Sequence, residues 1–555
     1  MLRISHLDVE NFRSIRKLNA SIPQYCALVG ANNAGKTNII EALHRILGRD
    51  WVTVANFSLD DVYSRDPNLD MRIAVTLDPP VQFSRFKNAP TTEIPVLSFE
   101  YTRYKVGQKK GEPRLEQRCL KTNGEPIQVL ARAPKKGESH QYAPLPNIPG
   151  DVKDLIPLIY IGTKRSLRDQ LPSSRYSVLR RLLDDIDRDF RNPRNTVKVK
   201  SGESEKEVGR AERFQQLISR AVAVLRTPEF EKMERSIKRH ALTQLGFDPD
   251  TDSDELDLFF SPFDSLDFYR SLELIVREGD FEIKATELGE GMQNALVIAM
   301  LQAFEERRKQ GAIFLIEEPE MFLHPQKQRS LAKTLRHIAE TNQVILTTHS
   351  PYFVSVPDYR SVLLVRKTDQ GTKAVQSTLS KGAISEEKLR KELDPERNEL
   401  FFASRLLLVE GDSEKLAFPE YAKRLDLDLD RAGTSIVEVG GKRNLLDFAR
   451  IALSFSIPTA ILYDEDSSDF SNKQAKVEDE FNESLDALKD KGAEVWRLVP
   501  KYEPVLRDAL GEREYLRACE KYPNTSKAVR ARLIAADLEF GVPLLFEEIV
   551  RWLAG

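Results

Sequence analysis

Residues Gly30-Ala31-Asn32-Asn33-Ala34-Gly35-Lys36-Thr37 constrain this 555-residue chain more than any other segment. A Gly-x-x-x-x-Gly-Lys-Thr loop turns tightly enough for successive backbone N–H groups to wrap a phosphate, while the lysine neutralises charge and the threonine hydroxyl reaches a magnesium ion. The loop is entered from the short apolar run Cys26-Ala27-Leu28-Val29 and leaves into Asn38-Ile39-Ile40-Glu41-Ala42-Leu43, the amphipathic start of a helix. Strand, phosphate loop and helix in that order predict an α/β nucleotide-binding domain. Gly30, Asn32, Asn33, Ala34, Gly35, Lys36, Thr37 and Asn38 are its expected contacts, with Thr37 also on the metal ion.

Three later segments complete the same machine. Gly311-Ala312-Ile313-Phe314-Leu315-Ile316-Glu317-Glu318 is an apolar strand ending in adjacent carboxylates, where Glu317 would hold the magnesium shell and Glu318 would polarise the attacking water. Leu288-Gly289-Glu290-Gly291-Met292-Gln293 opens a helix whose N-terminus can bind a γ-phosphate, with Gly289 and Gly291 as contacts. Val344-Ile345-Leu346-Thr347-Thr348-His349 is a buried strand that places His349 to sense that phosphate.

A second phosphate chemistry sits near the end of the chain. Leu406-Leu407-Leu408-Val409 delivers Glu410, Gly411 permits a sharp turn, and the helix that follows carries Glu414; Ile457-Pro458-Thr459-Ala460-Ile461-Leu462-Tyr463 delivers Asp464 and Asp466. An acid-x-acid pair alone means little among 86 acidic residues. Buried strands before each acid put them at the carboxyl edge of a parallel sheet, the ligand edge of open α/β folds. Several carboxylates meeting there can hold hard cations such as Mg²⁺ or Mn²⁺, and two such ions activate water and stabilise the leaving oxygen of a phosphodiester.

Composition excludes several classes. With 41% apolar residues the chain can bury more than one core. A mean hydropathy of -0.42, and no apolar run near the roughly 20 residues of a membrane span, predict no membrane insertion. The start, Met1 to Glu10, alternates like a strand rather than a signal peptide, and only Cys26, Cys119 and Cys519 are present, so a reducing cytoplasm is expected. A net charge of -3 gives no global signal for nucleic acid, which leaves local patches. The best is Arg103, Lys105, Lys109, Lys110 and Arg114 with Tyr101 and Tyr104, followed by Arg132, Lys135 and Lys136, although a solvated hairpin explains it as well. Residues 1 to about 160 read as β-rich with loops over 107–150, and 165–245 reads as helical, either an association surface or ordinary core helices.

The first 350 residues resemble the ATP-binding cassette (ABC) superfamily, in the branch of SMC and RecF-type ATPases, through the four motifs above in the right order and through Met321-Phe322-Leu323-His324-Pro325-Gln326 after the acid pair. Gly289 stands where serine is usual. The end of the chain resembles a Toprim domain, entered through Asn398-Glu399-Leu400-Phe401-Phe402-Ala403-Ser404-Arg405, and the whole is similar to the overcoming lysogenization defect (OLD) family of ATPase-Toprim nucleases, which includes the nuclease subunit of Gabija-type anti-phage systems. The resemblance implies an α/β chain: an ABC-type P-loop ATPase at 1–164 and 256–398, an inserted helical dimerisation region at 165–255, and a Rossmann-like Toprim domain at 399–555. It implies metal ligands Glu410, Glu414, Asp464 and Asp466, with Glu503 as a later acid, and a lysine for developing phosphate charge at Lys527, with Lys501 competing. ATP and Mg²⁺ or Mn²⁺ are the implied cofactors. DNA, a second copy of the chain, and a helicase or other defence-system component are the implied partners. The alternatives are a RecF- or SMC-like DNA-binding clamp without nuclease activity, which has no need of Glu410, Asp464 and Asp466 together, and a topoisomerase or primase, for which no nucleophile or primer-making segment is seen.

Overall fold

The computed structural model describes residues 1–48, 52–87, 89–133, 141–163, 178–201, 204–245, 247–248, 264–278, 281–307, 311–385, 395–467 and 472–555. These fall into two compact units, one of Met1–Thr163 with Gln310–Gly555 and one of Lys164–Lys309.

In the first unit an antiparallel sheet runs Ile15–Ser21, Arg3–Phe12, Met71–Phe83, Thr92–Arg103, Pro113–Leu120 from edge to edge. The Arg3–Phe12 strand alternates buried and half-exposed positions, as a strand with one covered face must. A mixed sheet is ordered Gly371–Val375, Val362–Thr368, Tyr25–Val29, Gln343–Thr348, Ile313–Glu317, Leu158–Ile161, parallel except for its first edge strand. Its central strands are buried along their length, consistent with unbroken Val/Ile/Leu runs covered on both faces. The helix Lys36–Leu47 follows the phosphate loop and buries Ile39, Ile40, Leu43, Ile46 and Leu47 in the core shared by the two sheets.

A third sheet, all parallel, is ordered Thr434–Glu438, Arg405–Val409, Thr459–Asp464, Glu494–Leu498. Helices Asp412–Arg424 and Leu544–Ala554 contribute Phe418, Tyr421, Phe546 and Ile549 to its core, where the Phe546 and Tyr502 rings stack at 5.2 Å. The ATPase-Toprim architecture read from the sequence is therefore the one observed. No described helix is long and apolar enough to cross a membrane.

The second unit holds helices Val178–Phe190, Arg210–Leu225 and Pro228–Leu245, hairpins Thr196–Ser201/Ser204–Gly209 and Ile275–Glu278/Phe281–Lys284, and the helix Glu290–Arg307. Of the expected helical insertion at 165–255, residues 165–177, 202–203, 246 and 249–255 lie outside the described residues.

One stretch departs from the loop expectation. Within 107–150 the chain forms strands Pro113–Leu120, Gln128–Leu130 and Tyr142–Pro144. The reason is alternation beneath the charge: Leu115, Gln117 and Cys119 face inward while Arg114, Glu116 and Arg118 stay on the outer face and pair with one another. The basic patch lies in this hairpin, with Arg103 donating to the carbonyls of Pro67 and Gly111, Lys105 pairing with Asp70, and Lys109 and Arg114 over the Tyr104 ring. Arg103, Lys105, Lys109 and Arg114 thus have local partners; Lys135 and Lys136 lie outside the described residues.

Candidate functional site

The Tyr25–Val29 strand is central in the mixed sheet, so its carboxyl end opens the phosphate loop beside the end of Gln343–Thr348, with Ile313–Glu317 one strand further on. Register Val29↔Thr348 and Thr347↔Glu317 brings the loop, His349 and the acid pair to one edge. Gly30 (φ +153°) and Gly35 (φ +105°) are demanded by close approach, since an added Cβ would fall 2.1 Å from Val365 O and 2.2 Å from Thr372 Oγ1. Thr372 Oγ1 also donates to Ala34 O (2.9 Å), bracing the loop from the edge strand.

Lys36 Nζ donates to Gly30 O (2.9 Å), Ala31 O (3.1 Å) and His349 Nε2 (2.8 Å), so that His349 is a neutral acceptor there. Burial and then the Lys36 charge hold His349 below the usual histidine range, and burial lowers Lys36 against the pull of Glu318 and Glu320. Glu317 is buried and accepts from Tyr160 OH (3.3 Å). Glu318 sits on left-handed backbone (φ +45°), its N–H donating to Thr347 O and Oγ1. Glu320, given no role by the sequence reading, accepts from His349 N (2.5 Å) and Thr348 Oγ1 (3.0 Å) and so fixes the backbone at His349. Asn32, Asn33 and Thr37 are exposed at the loop, while Asn38 Nδ2 turns away to Ser14 Oγ (2.6 Å). Gly289 and Gly291 lie in the second unit, where Met292 N and Gln293 N donate to Gly289 O at the start of their helix.

At the carboxyl edge of the third sheet, neighbouring strands present Glu410 and Asp464, and Asp464 N donates to Glu410 Oε1 (3.0 Å). Glu414 is buried in the first turn of Asp412–Arg424. Asp464 Oδ1 accepts from Tyr502 N (3.1 Å). Asp466, also left-handed (φ +60°), pairs with Lys501 (3.0 Å) and Lys442 (3.6 Å). Glu503 is 3.6 Å from Lys527, whose side chain is 83% exposed. The sequence reading missed Lys442: buried behind the acids, it donates to Asp464 O (2.5 Å) and Glu465 O (2.8 Å) and also pairs with Glu478. Its signal was available, since Gly440-Gly441-Lys442 leaves a strand at the same sheet edge as the acids.

Burial, reinforced by neighbouring carboxylates, pushes Glu410 up to about 8, and Asp464 and Glu414 each to about 7. Among the described residues no three His, Cys, Asp or Glu side chains are gathered into a ready coordination shell, and Glu410, Asp464 and Asp466 each meet a protein partner. The electrostatic crowding is the better guide to chemistry. Three buried carboxyls that resist joint ionisation form a hard-oxygen donor set, which a divalent cation satisfies and a neutral core does not.

This crowding has a measurable sign. A carboxyl whose folded pKa lies above its unfolded value near 4 keeps extra protons in the folded state, so the stabilising contribution of these three carboxyls in the metal-free protein is lost as pH rises from about 4 to about 8. A cation that displaces those protons binds more tightly over the same rise. Melting temperature in Mg²⁺ minus that in EDTA, without nucleotide, is therefore expected to be larger at pH 8.5 than at pH 6. An equal difference at both would show that these acids do not take up the cation.

A phosphate-loop sheet and an acid-edged parallel sheet on one chain define the class: an ATPase fused to a Toprim domain. A family model described as AAA ATPase domain matches residues 2–142 and 147–354, and one described as overcoming lysogenization defect protein-like, TOPRIM domain, matches 401–466. The chain belongs to that ATPase family and, as its fusion to this Toprim domain, to the overcoming lysogenization defect group. It is 29% identical over 473 residues to the OLD nuclease of Thermus scotoductus, spanning 83% of this chain and 82% of that protein. It is 22% identical to Endonuclease GajA of Bacillus cereus over 79% of this chain and 71% of that one, and 25% identical to the Old nuclease of Escherichia phage P2 over 84% and 77%. Among solved structures, the Smc head domain of Pyrococcus furiosus aligns at a TM-score of 0.38 and 14% identity over 70% of this chain and 98% of that one, a score too low to bear on the fold.

Proposed function

We propose that this protein is a DNA endonuclease or nickase whose Toprim domain hydrolyses phosphodiester bonds with divalent cations and whose ATPase domain binds ATP and controls that site. The carrying observation is the crowding of Glu410, Glu414 and Asp464 at one sheet edge, with Asp466 and Glu503 beside them. These five side chains would hold the ions, with Mg²⁺ or Mn²⁺ suited to an all-oxygen set. The ions, when bound, supply a more acidic attacking water and neutralise charge on the leaving oxygen. Lys442 fixes the Asp464–Glu465 backbone, Lys501 orients Asp466, and Lys527 extends from the margin of the cluster toward solvent, where it meets the phosphate charge of a DNA strand.

At the other edge Lys36 and the loop amides hold the nucleotide phosphates, Thr37 and Glu317 its metal ion, Glu318 the attacking water, and His349 senses the γ-phosphate. Gly289 and Gly291 complete the nucleotide site of a second copy of the chain, which makes a homodimer the working form. The protein acts in the cytoplasm, in anti-phage defence, with room for a helicase or similar partner.

The test is incubation of supercoiled plasmid with the full chain in Mg²⁺, Mn²⁺ or EDTA, with and without ATP. Nicked or linear product is expected in either metal and none in EDTA. Intact plasmid across all metals and nucleotide states would leave the DNA-binding clamp as the better account.

A further inference from the structure

The two sheet edges are joined by a continuous line of hydrogen bonds that neither chemistry requires. Directly after His349 the chain runs through Ser350–Val356, and this segment is gripped by one buried side chain, Asn398. Its Nδ2 donates to Pro351 O (2.9 Å) and Val354 O (3.1 Å), and its Oδ1 accepts from Val356 N (3.0 Å). The adjacent residue, Arg397, points the other way: Nε donates to Glu438 O (3.0 Å) and Nη2 to Glu438 Oε2 (2.9 Å). Glu438 ends the outer strand of the Toprim sheet and accepts from Gly440 N (2.5 Å). Gly441 N then donates to the carbonyl of Glu410 (3.1 Å), and Lys442 to the carbonyls of Asp464 and Glu465.

The turn 438–442 thus touches both strands that carry the acids, and the Arg397–Asn398 dipeptide ties that turn to the segment leaving the sensor histidine. At the other end Glu320 and Gln328 hold His349 N and Ser350 Oγ, so the segment is tied at both ends. Apart from the exposed Gly440 N–H to Glu438 bond, the side-chain bonds in the line are buried or half-buried, and the amide and guanidinium hold fixed geometries.

We propose that Arg397 and Asn398 are positioning residues that carry the state of the nucleotide site to the Toprim metal site; this rests on the reading of the chain as an ATP-controlled nuclease. Thermodynamic coupling of this kind is typically about 5- to 150-fold and must vanish when the link is cut while both sites survive.

The test uses the full chain, Arg397→Met and Asn398→Ala, with Ser377→Ala as control. Ser377 bonds Ser454 (2.7 Å), another ATPase-Toprim contact, at the far end of the helix that begins at Lys442. Two readouts are taken in Mg²⁺ with and without a non-hydrolysable ATP analogue: the plasmid cleavage rate and amide hydrogen exchange across 438–442. In the unmodified chain and the control, the analogue is expected to change cleavage by at least about fivefold and to alter exchange in that turn. In both link variants the cleavage ratio falls below about twofold and the exchange change disappears, with analogue affinity and melting temperature near those of the control. An exchange response that persists in Arg397→Met, or is lacking in the unmodified chain, overturns the proposal. Absence of cleavage in all four proteins counts against the nuclease reading instead, and the exchange data then decide the link alone.

Discussion

Replacing Asp464 by asparagine is expected to lower metal-dependent plasmid cleavage by at least about a thousandfold, equivalent to about 4 kcal/mol of transition-state stabilisation. Asp464 stands at the centre of the site. Its N–H meets Glu410, its carbonyl meets Lys442, its carboxylate accepts from Tyr502 N, and Asp466 and Glu503 act on its charge. Asparagine keeps the shape and the acceptor for Tyr502 N, so a loss of cleavage reports loss of the anionic ligand rather than of the fold. The same change relieves carboxylate crowding, so the metal-free variant is expected to melt at or above the temperature of the unmodified protein near pH 8. Activity and stability then move in opposite directions, as they do where a site is built against the preference of the fold. Cleavage within about tenfold of the unmodified rate would remove Asp464 from the chemistry.

Lys36→Met should lower ATP turnover by at least about a hundredfold, because it removes the one ammonium that the loop folds around and keeps the aliphatic stem. The unmodified lysine is buried and bonded to Gly30 O, Ala31 O and His349, so methionine leaves two carbonyls and a ring nitrogen to find water or a backbone donor; a modest loss of stability, about 1–2 kcal/mol, accompanies the change. Nuclease activity measured without nucleotide should survive. ATP turnover assayed as phosphate release, together with that cleavage control, separates the two sites; turnover within about threefold would show that another cation neutralises the phosphates.

The parts legible in the sequence are those written into neighbouring residues. A buried parallel strand has to be apolar throughout, so Cys26–Val29, Ile313–Ile316, Val344–Leu346 and Leu406–Val409 stand out, and the polar residues just beyond each one fall on a ligand edge. What was not legible depends on partners far away in the chain. The Gly440-Gly441-Lys442 turn was open to reading, but the contact of Lys442 with Asp464 across 22 positions was not, nor was that of Asn398 with Pro351 across 47. In the second case the partners are backbone carbonyls and an amide, which any residue could supply, so no pattern of side chains announces them. The strand Pro113–Leu120 was hidden for a different reason: its turn-rich surroundings and charged outer face masked an alternation that only Leu115, Gln117 and Cys119 carry.

Glu318 and Asp466 share a backbone state that an ordinary side chain avoids, with φ of +45° and +60°. Glycine or asparagine would occupy either position with less conformational cost, on the order of 1 kcal/mol. Stability alone favours a change at both positions, and the roles proposed for the two acids are what would oppose it. A descendant of this chain freed from its chemistry should shed them early, before the buried strands that present them begin to change, so that a glycine at either position would read as the mark of a retired enzyme.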